Sequence, residues 1–363
     1  MRIVSSYTLL LLLVQLTSSL ALAEVLPQFP AGSVWRQNIS AAAVHPDSAK
    51  MISTLELLGG FGGNRFQIDF SMRVVHADES APRLKLVSLF DDEKNAIYYA
   101  DECDAIGSLV PVPRDAVIED EDGMRCESGG DCHYLVKQGN LLFELYRANV
   151  TGKNIQSQCL ASWNLDEVYP PDNRGDHCTS ADAGGMPIAP MLFNADEIQA
   201  ALNLDPAGEG DLGHMIRFIL PNVRIARDAK LGGSSGKLYV RPASHAGNPQ
   251  GPASTVPYGV HLRLRSDFTL DNYNPAARVI LNTLKRYGMV LADGGNIALT
   301  AESDYYTTAK WDDLGITSTV FARSQGNRTV RVTDFEVLDT GPRIAETYDC
   351  VPPALPEGLT SQE

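Results

Sequence analysis

Tryptophan is scarce in this chain. Only Trp35, Trp163 and Trp311 stand among 363 residues, and aromatic residues make up 7%. So few indoles leave little material for the exposed platform of a simple sugar-binding module, and each of the three fits a core position. Basic residues are also in the minority: 30 Lys and Arg face 45 Asp and Glu, a formal charge of -15. No basic stripe offsets phosphate repulsion, which argues against nucleic acid as the main partner. Beyond the first 23 residues no apolar run reaches the roughly 20 residues of a membrane-spanning helix. The short catalytic signatures are missing too. There is no G-x-S-x-G elbow, no H-E-x-x-H, no P-loop and no C-x-x-C pair, so chemistry must come from dispersed polar residues.

What the chain does have begins at its start. The segment MRIVSSYTLLLLLVQLTSSLALA carries Arg2, an apolar centre from Leu9 to Val14, and Ala21-Leu22-Ala23 ahead of Glu24. This is the pattern of an export signal removed after Ala23. The expected mature protein is secreted, to a periplasm or the extracellular space, and has no membrane attachment after cleavage. Loss of Arg2 leaves 29 basic against 45 acidic side chains, a formal charge of -16. Six cysteines follow, Cys103, Cys126, Cys132, Cys159, Cys178 and Cys350. An even number in an exported chain is read as disulfides, whose pairing the sequence leaves open. Cys126 and Cys132 could close a small loop around residues 127–131.

With 44% hydrophobic and 21% charged residues, the chain is globular in composition, and 30 Gly and 21 Pro imply frequent turns. Period-2 segments over 66–75, 84–90, 213–220, 237–241, 261–265 and 329–336 read as strands. His133–Val136 and Leu141–Tyr146 read as a hairpin turning over 137–140. Helices are expected over 48–57 behind Asp47, over 194–202, and over 275–287 with Val279, Leu281, Leu284 and Tyr287 on a buried face. The expectation is a mainly β protein. A single antiparallel β-sandwich or barrel-like domain would cover 24–363, with a few peripheral helices. Glycines at 208–213 would permit a division, but a surface loop explains them equally well.

Three sets of side chains could carry chemistry. Glu144 is a lone carboxylate in an apolar strand, Asp182 sits in a Gly/Pro-stiffened loop, and Asp293 ends a strand ahead of two glycines. A glycosidase needs one protonated and one ionised carboxyl across the scissile bond. Glu144 and Asp293 are the expected pair, with Asp182 in reserve. The plainer alternative is that Glu144 pairs with Arg217 or Arg263 and that the aspartates cap turns. His133, His214 and His245 form the second set, as substrate-binding groups or as a weakly supported metal site; no cofactor is otherwise implied. Arg217 and Arg263, with Lys285 and Tyr287, form the third set. Arginines could grip a uronate carboxylate.

Several segments also carry a resemblance. They are Phe29-Pro30-Ala31, 35–40, 77–80, 131–146, 179–187, 214–218, 239–245, 258–296, Asp312-Asp313-Leu314-Gly315 and 333–337. Together they resemble an uncharacterised group of secreted bacterial and fungal proteins, some carrying carbohydrate-binding or immunoglobulin-like modules. The resemblance covers most of the mature chain and implies extracellular polysaccharide association. The chain departs from the group's pattern at Arg241, where Trp is usual, and at Gly295-Asn296-Ile297. The reading that follows is a secreted hydrolase of glycosidic bonds acting on a polysaccharide or oligosaccharide. The alternatives are a non-catalytic glycan-binding or envelope protein and a lyase on an acidic glycan.

Overall fold

The computed structural model describes residues 25–127, 130–322 and 329–351. The expected export signal lies outside them. In chain order the elements are α1 (Ser48–Leu57), β1 (Ile68–Met72), β2 (Val74–Ala77), β3 (Arg83–Ser88), β4 (Leu109–Pro111), β5 (His133–Gln138) and β6 (Leu141–Tyr146). Next come β7 (Asn149–Thr151), β8 (Asn154–Ser157), β9 (Cys159–Asn164), α2 (Ala195–Leu204), β10 (Ile216–Leu220), β11 (Leu238–Tyr239) and β12 (His261–Leu264). The last are α3 (Pro275–Arg286), β13 (Met289–Gly294), β14 (Leu299–Glu302), β15 (Phe335–Val337) and β16 (Ile344–Ala345).

These strands form four separate sheets. A six-stranded sheet has the order β1-β14-β10-β13-β12-β15, and two four-stranded sheets have the orders β2-β5-β6-β9 and β4-β3-β8-β7. Strands β11 and β16 make a two-stranded ribbon. The expected single antiparallel sandwich or barrel is therefore corrected to an open, mixed α/β arrangement. Four of the pairings, β1 with β14, β10 with β13, β2 with β5 and β3 with β8, are parallel. Parallel pairing joins segments far apart in sequence, so local alternation of apolar residues carries no sign of it.

The sheet β2-β5-β6-β9 divides two hydrophobic cores. Leu135, Leu142, Ala161 and Trp163 enter the large core, which holds the six-stranded sheet and α3. Their neighbours Tyr134, Val136, Phe143 and Leu160 enter a smaller core with Leu86, Val110 and Ile155 of the adjoining sheet. Successive side chains of a strand point to opposite faces, so a sheet covered on both sides reads as a continuous apolar run. Leu141–Tyr146 is such a run. Glu144 shares a face with Leu142 and so points into the large core.

The helices follow local chemistry. Asn194 caps α2 by accepting the Glu197 N–H at 2.8 Å, and Asn274 caps α3 by accepting that of Ala277 at 2.8 Å. Pro275 opens α3, and Lys285 and Arg286 lie at its negative end. Val279, Leu281 and Leu284 are buried as expected, whereas Tyr287 ends the helix. The N-cap Asp47 of α1 makes no side-chain capping bond. The expected first strand is broken at Arg73 into β1 and β2, which join different sheets. All six cysteines are paired, as Cys103–Cys159, Cys126–Cys132 and Cys178–Cys350. Among the described residues no helix is long and apolar enough to cross a membrane.

Candidate functional site

Strand β13 begins in the core at Met289 and ends at Asp293 and Gly294, where the chain emerges. Its parallel neighbour β10 places Ile219 beside Asp293 and Arg217 beside Val290. The 179–187 loop crosses this strand end. It is anchored by the Gly184 N–H on the Ala292 carbonyl at 2.8 Å. The approach requires glycine, because a Cβ at Gly184 would stand 2.9 Å from that carbonyl oxygen.

Asp182 lies within the loop and is 0% exposed. Arg217, 2% exposed, grips it through two parallel bonds of 3.0 and 2.9 Å, Nε to Oδ2 and Nη2 to Oδ1. The remaining arm of Arg217 donates to Thr300 Oγ1 at 2.7 Å. Beside this pair lies a second one. His133 Nδ1 is 2.6 Å from Glu119 Oε2, and Ser71 donates to Glu119 Oε1 at 2.8 Å. Burial would strip the imidazole of its proton, but the adjacent Glu119 carboxylate outweighs it and lifts His133 to about 9. The same pairing holds Glu119 below its ordinary value although burial opposes it.

These two pairs lie behind a cavity of about 620 Å³. Asp293 lines it, together with Tyr99, Tyr146, Tyr258 and Tyr348, the amides Asn222 and Asn248, and the ionisable side chains Glu102, Asp131, Lys237 and His245. Burial first, and the charge of Asp182 second, push the Asp293 carboxyl up to about 7. Arg217, the Gly294 N–H and His133 oppose that rise. Asp293 accepts from the Gly294 N–H at 2.6 Å and from the Ala183 N–H at 3.4 Å. His245 is set by the Ala183 carbonyl, 2.6 Å from Nδ1, and by Glu102, 3.2 Å from Nε2. Lys237 donates to the Tyr348 hydroxyl at 2.5 Å, and its Nζ stands 4.9 Å from that ring's centre. A larger groove of about 810 Å³ runs past Leu26, His76, Lys137 and Tyr306. It has none of the buried ion pairs against its wall, so the smaller cavity is the better site.

The sequence-derived candidates separate on this frame. Asp293 and His245 line the cavity. Asp182, Arg217 and His133 stand behind it. Glu144 does not reach it. It is 0% exposed, and its carboxyl accepts the N–H groups of Ile188 (2.9 and 3.0 Å) and Ala189 (2.8 Å) and the Trp163 indole N–H (3.0 Å). Burial drives Glu144 up to about 7 against these donors. Neither expected arginine pairs with it. Arg263 binds Glu336 at 2.8 Å and the carbonyls of Ile39, Ser40 and Ala42, none of which lines the cavity. Lys285 donates to the Ser266 and Phe268 carbonyls. His214 is occupied by the Met215 carbonyl at 2.9 Å and stands 3.7 Å from Glu197. The three histidines thus have separate partners, and among the described residues no group of three or more His, Cys, Asp and Glu side chains is arranged to hold a metal.

Sequence reasoning missed Glu102, Asp131, Lys237, Asn222 and Asn248 and the four tyrosines. A signal for three of them existed. Glu102 precedes Cys103, Asp131 precedes Cys132, and Tyr348 lies two residues before Cys350, so residues flanking all three disulfides supply part of the cavity wall. No family model, no curated protein and no solved structure matches the chain.

Proposed function

We propose that this protein is an exported hydrolase of glycosidic bonds in a polysaccharide or oligosaccharide, with Asp293 as its proton donor. One observation carries the reading. A carboxyl raised to about 7 lines a cavity large enough for sugar residues and walled by tyrosines and amides. A carboxyl that keeps its proton near neutrality is what protonation of a leaving glycosidic oxygen requires. Tyrosine faces stack on the apolar faces of sugar rings, and asparagine side chains and tyrosine hydroxyls match their hydroxyl groups. Glu102, which also lines the cavity and stands 3.2 Å from His245, is the carboxylate assigned to take the proton of the attacking water. Bond cleavage then gives a protonated leaving sugar, while the hydroxyl of that water joins the anomeric carbon.

Export is part of the proposal. It rests on the segment from Arg2 to Ala23, on three disulfides, and on the resemblance to secreted proteins. A lyase on a uronate-bearing glycan is less favoured. The arginines it would use at the uronate carboxylate are engaged elsewhere, Arg217 by Asp182 and Arg263 by Glu336.

The test is release of reducing ends from a panel of neutral, acidic and amino-sugar polysaccharides by the mature protein. Cleavage of one class, without absorbance near 235 nm, is expected. Products absorbing there would replace hydrolysis by elimination. Retention of a glycan on an affinity column with no cleavage of any panel member would leave a binding protein in its place.

A further inference from the structure

Three consecutive residues link the buried ion pairs to the cavity. The Ala181 carbonyl is 3.2 Å from His133 Nε2. The Asp182 carboxylate is held by two arms of Arg217. Ala183 offers its N–H to Asp293 Oδ2 and its carbonyl to His245 Nδ1. The inner side of this segment is therefore gripped from two different sheets, by His133 of β5 and Arg217 of β10. Its outer side fixes two cavity groups.

The charges around Asp293 oppose one another. Asp182, on the segment itself, disfavours a second negative charge nearby. Arg217 on β10 and His133 on β5 favour it. Tyr146 on β6 and Tyr258 ahead of β12 also interact with Asp293, Glu119 acts from behind His133 and Arg217, and Tyr99, Glu102, Asp131, Lys237, His245 and Tyr348 line the same cavity. Buried charges in fixed geometry are weakly screened, so each one is felt at Asp293.

We propose that Asp182 and His133 are positioning residues, which together hold the 181–183 segment against Asp293 and act on its carboxyl from behind with opposite charges. This rests on Asp293 being the proton donor, but it can be tested without any glycan. The readout is carbodiimide-driven coupling of glycinamide to Asp293 in the folded mature protein. Peptide mass spectrometry measures it from pH 4.5 to 8.5, relative to exposed Glu93 in the same digest.

The wild type should show a midpoint near 7 for Asp293. Asp182→Asn removes the repelling charge and leaves Arg217 unneutralised, so the midpoint should fall by about one unit or more. His133→Gln removes a positive charge and leaves Glu119 uncompensated, so the midpoint should rise by about half a unit or more. A merely structural role would let water in and move both variants toward an ordinary carboxylate. Shifts of the same sign, or none in either variant, overturn the proposal. Should Asp182→Asn fail to fold, the other two proteins decide: a wild-type midpoint near that of an exposed aspartate, or an unmoved His133→Gln, overturns it. Opposite shifts in a protein that cleaves no glycan would uphold the positioning role and remove the hydrolase reading. A glycosidase inactivated by Asp293→Asn but with unmoved midpoints would do the reverse.

Discussion

Glu144 and Asp293 have much in common. Both lie on strands of largely buried residues, both are pushed up to about 7 with burial as the main cause, and both feel the charge of Asp182. Their surroundings differ. Around Glu144, two backbone amides and an indole converge on the carboxyl, and the group is sealed in the core. Around Asp293, one close N–H and one long one leave the rest of the carboxyl facing a cavity of about 620 Å³. A raised proton affinity therefore does not by itself mark a working acid. What separates the two is whether the remaining acceptor capacity is spent on the protein or left open to a ligand.

The contrast can be broken or sharpened by measurement, beginning with the cross-links. The loop that crosses the Asp293 strand end follows Cys178, whose link to Cys350 spans 172 residues. By chain entropy its removal in a Cys178→Ala/Cys350→Ala variant should cost about 5 kcal/mol. Removal of Cys126–Cys132, which spans 6 residues, should cost about 2 kcal/mol by the same relation. Urea unfolding of the two variants checks the order, and equal losses would show that the longer link does not restrain the unfolded chain as argued.

The Glu144 side depends on hydrogen bonds instead. Glu144→Ala strands three buried donors and opens a cavity, and should cost about 4 kcal/mol. A loss below about 1 kcal/mol in urea unfolding would mean that those donors find other partners.

A third expectation concerns pH, and its sign follows from the direction of each shift. Glu144 and Asp293 hold protons in the folded chain up to about 7, whereas their ordinary values are 4.5 and 3.8. Between those limits the folded state binds more protons, so stability falls as pH rises. His133 acts in the same sense higher up. Its contribution is fully present below 6.5 and is lost as pH passes about 9. Each of the three contributes about 3 kcal/mol over about two pH units, while His261, which burial lowers to about 4, opposes them by about 2 kcal/mol below pH 6.5. The protein should therefore be more stable at pH 5 than at pH 8.5 by several kcal/mol. Thermal melts at the two pH values test this, and greater stability at 8.5 would contradict it. The smallest effect is expected for the stability of Asp293→Asn, which should lie within about 1 kcal/mol of wild type at pH 7, since the carboxyl it replaces makes few bonds and is half neutral there.

Parts of this arrangement were legible in the sequence. The helices over 194–202 and 275–287 were legible from their residue content and, for the latter, from one apolar face, whereas the one cap read from the sequence, Asp47, makes no capping bond. The hairpin of β5 and β6 stood out by its turn at Gly139-Asn140. Asp293 was legible from a strand end followed by two glycines. The sheet order was not, since β10 pairs with β13 across some seventy intervening residues, and local periodicity contains nothing about such pairings. Glu144 misled for a similar reason. Its isolation among apolar neighbours predicted burial correctly, but the partners that occupy it come from residues 163, 188 and 189. Arg217 was expected at a substrate carboxylate or paired with Glu144, and its partner proved to be Asp182, which the sequence had placed with the catalytic carboxylates.

The central claim is that the open carboxyl, not the sealed one, does the chemistry. Its most direct test is turnover of a cleavable polysaccharide by Asp293→Asn and Glu144→Gln, measured beside wild type well below their unfolding temperatures. Asp293→Asn should lose about 100-fold or more in turnover with its fold intact, while Glu144→Gln should melt earlier and keep near-normal turnover. Near-normal turnover by a folded Asp293→Asn would contradict the account.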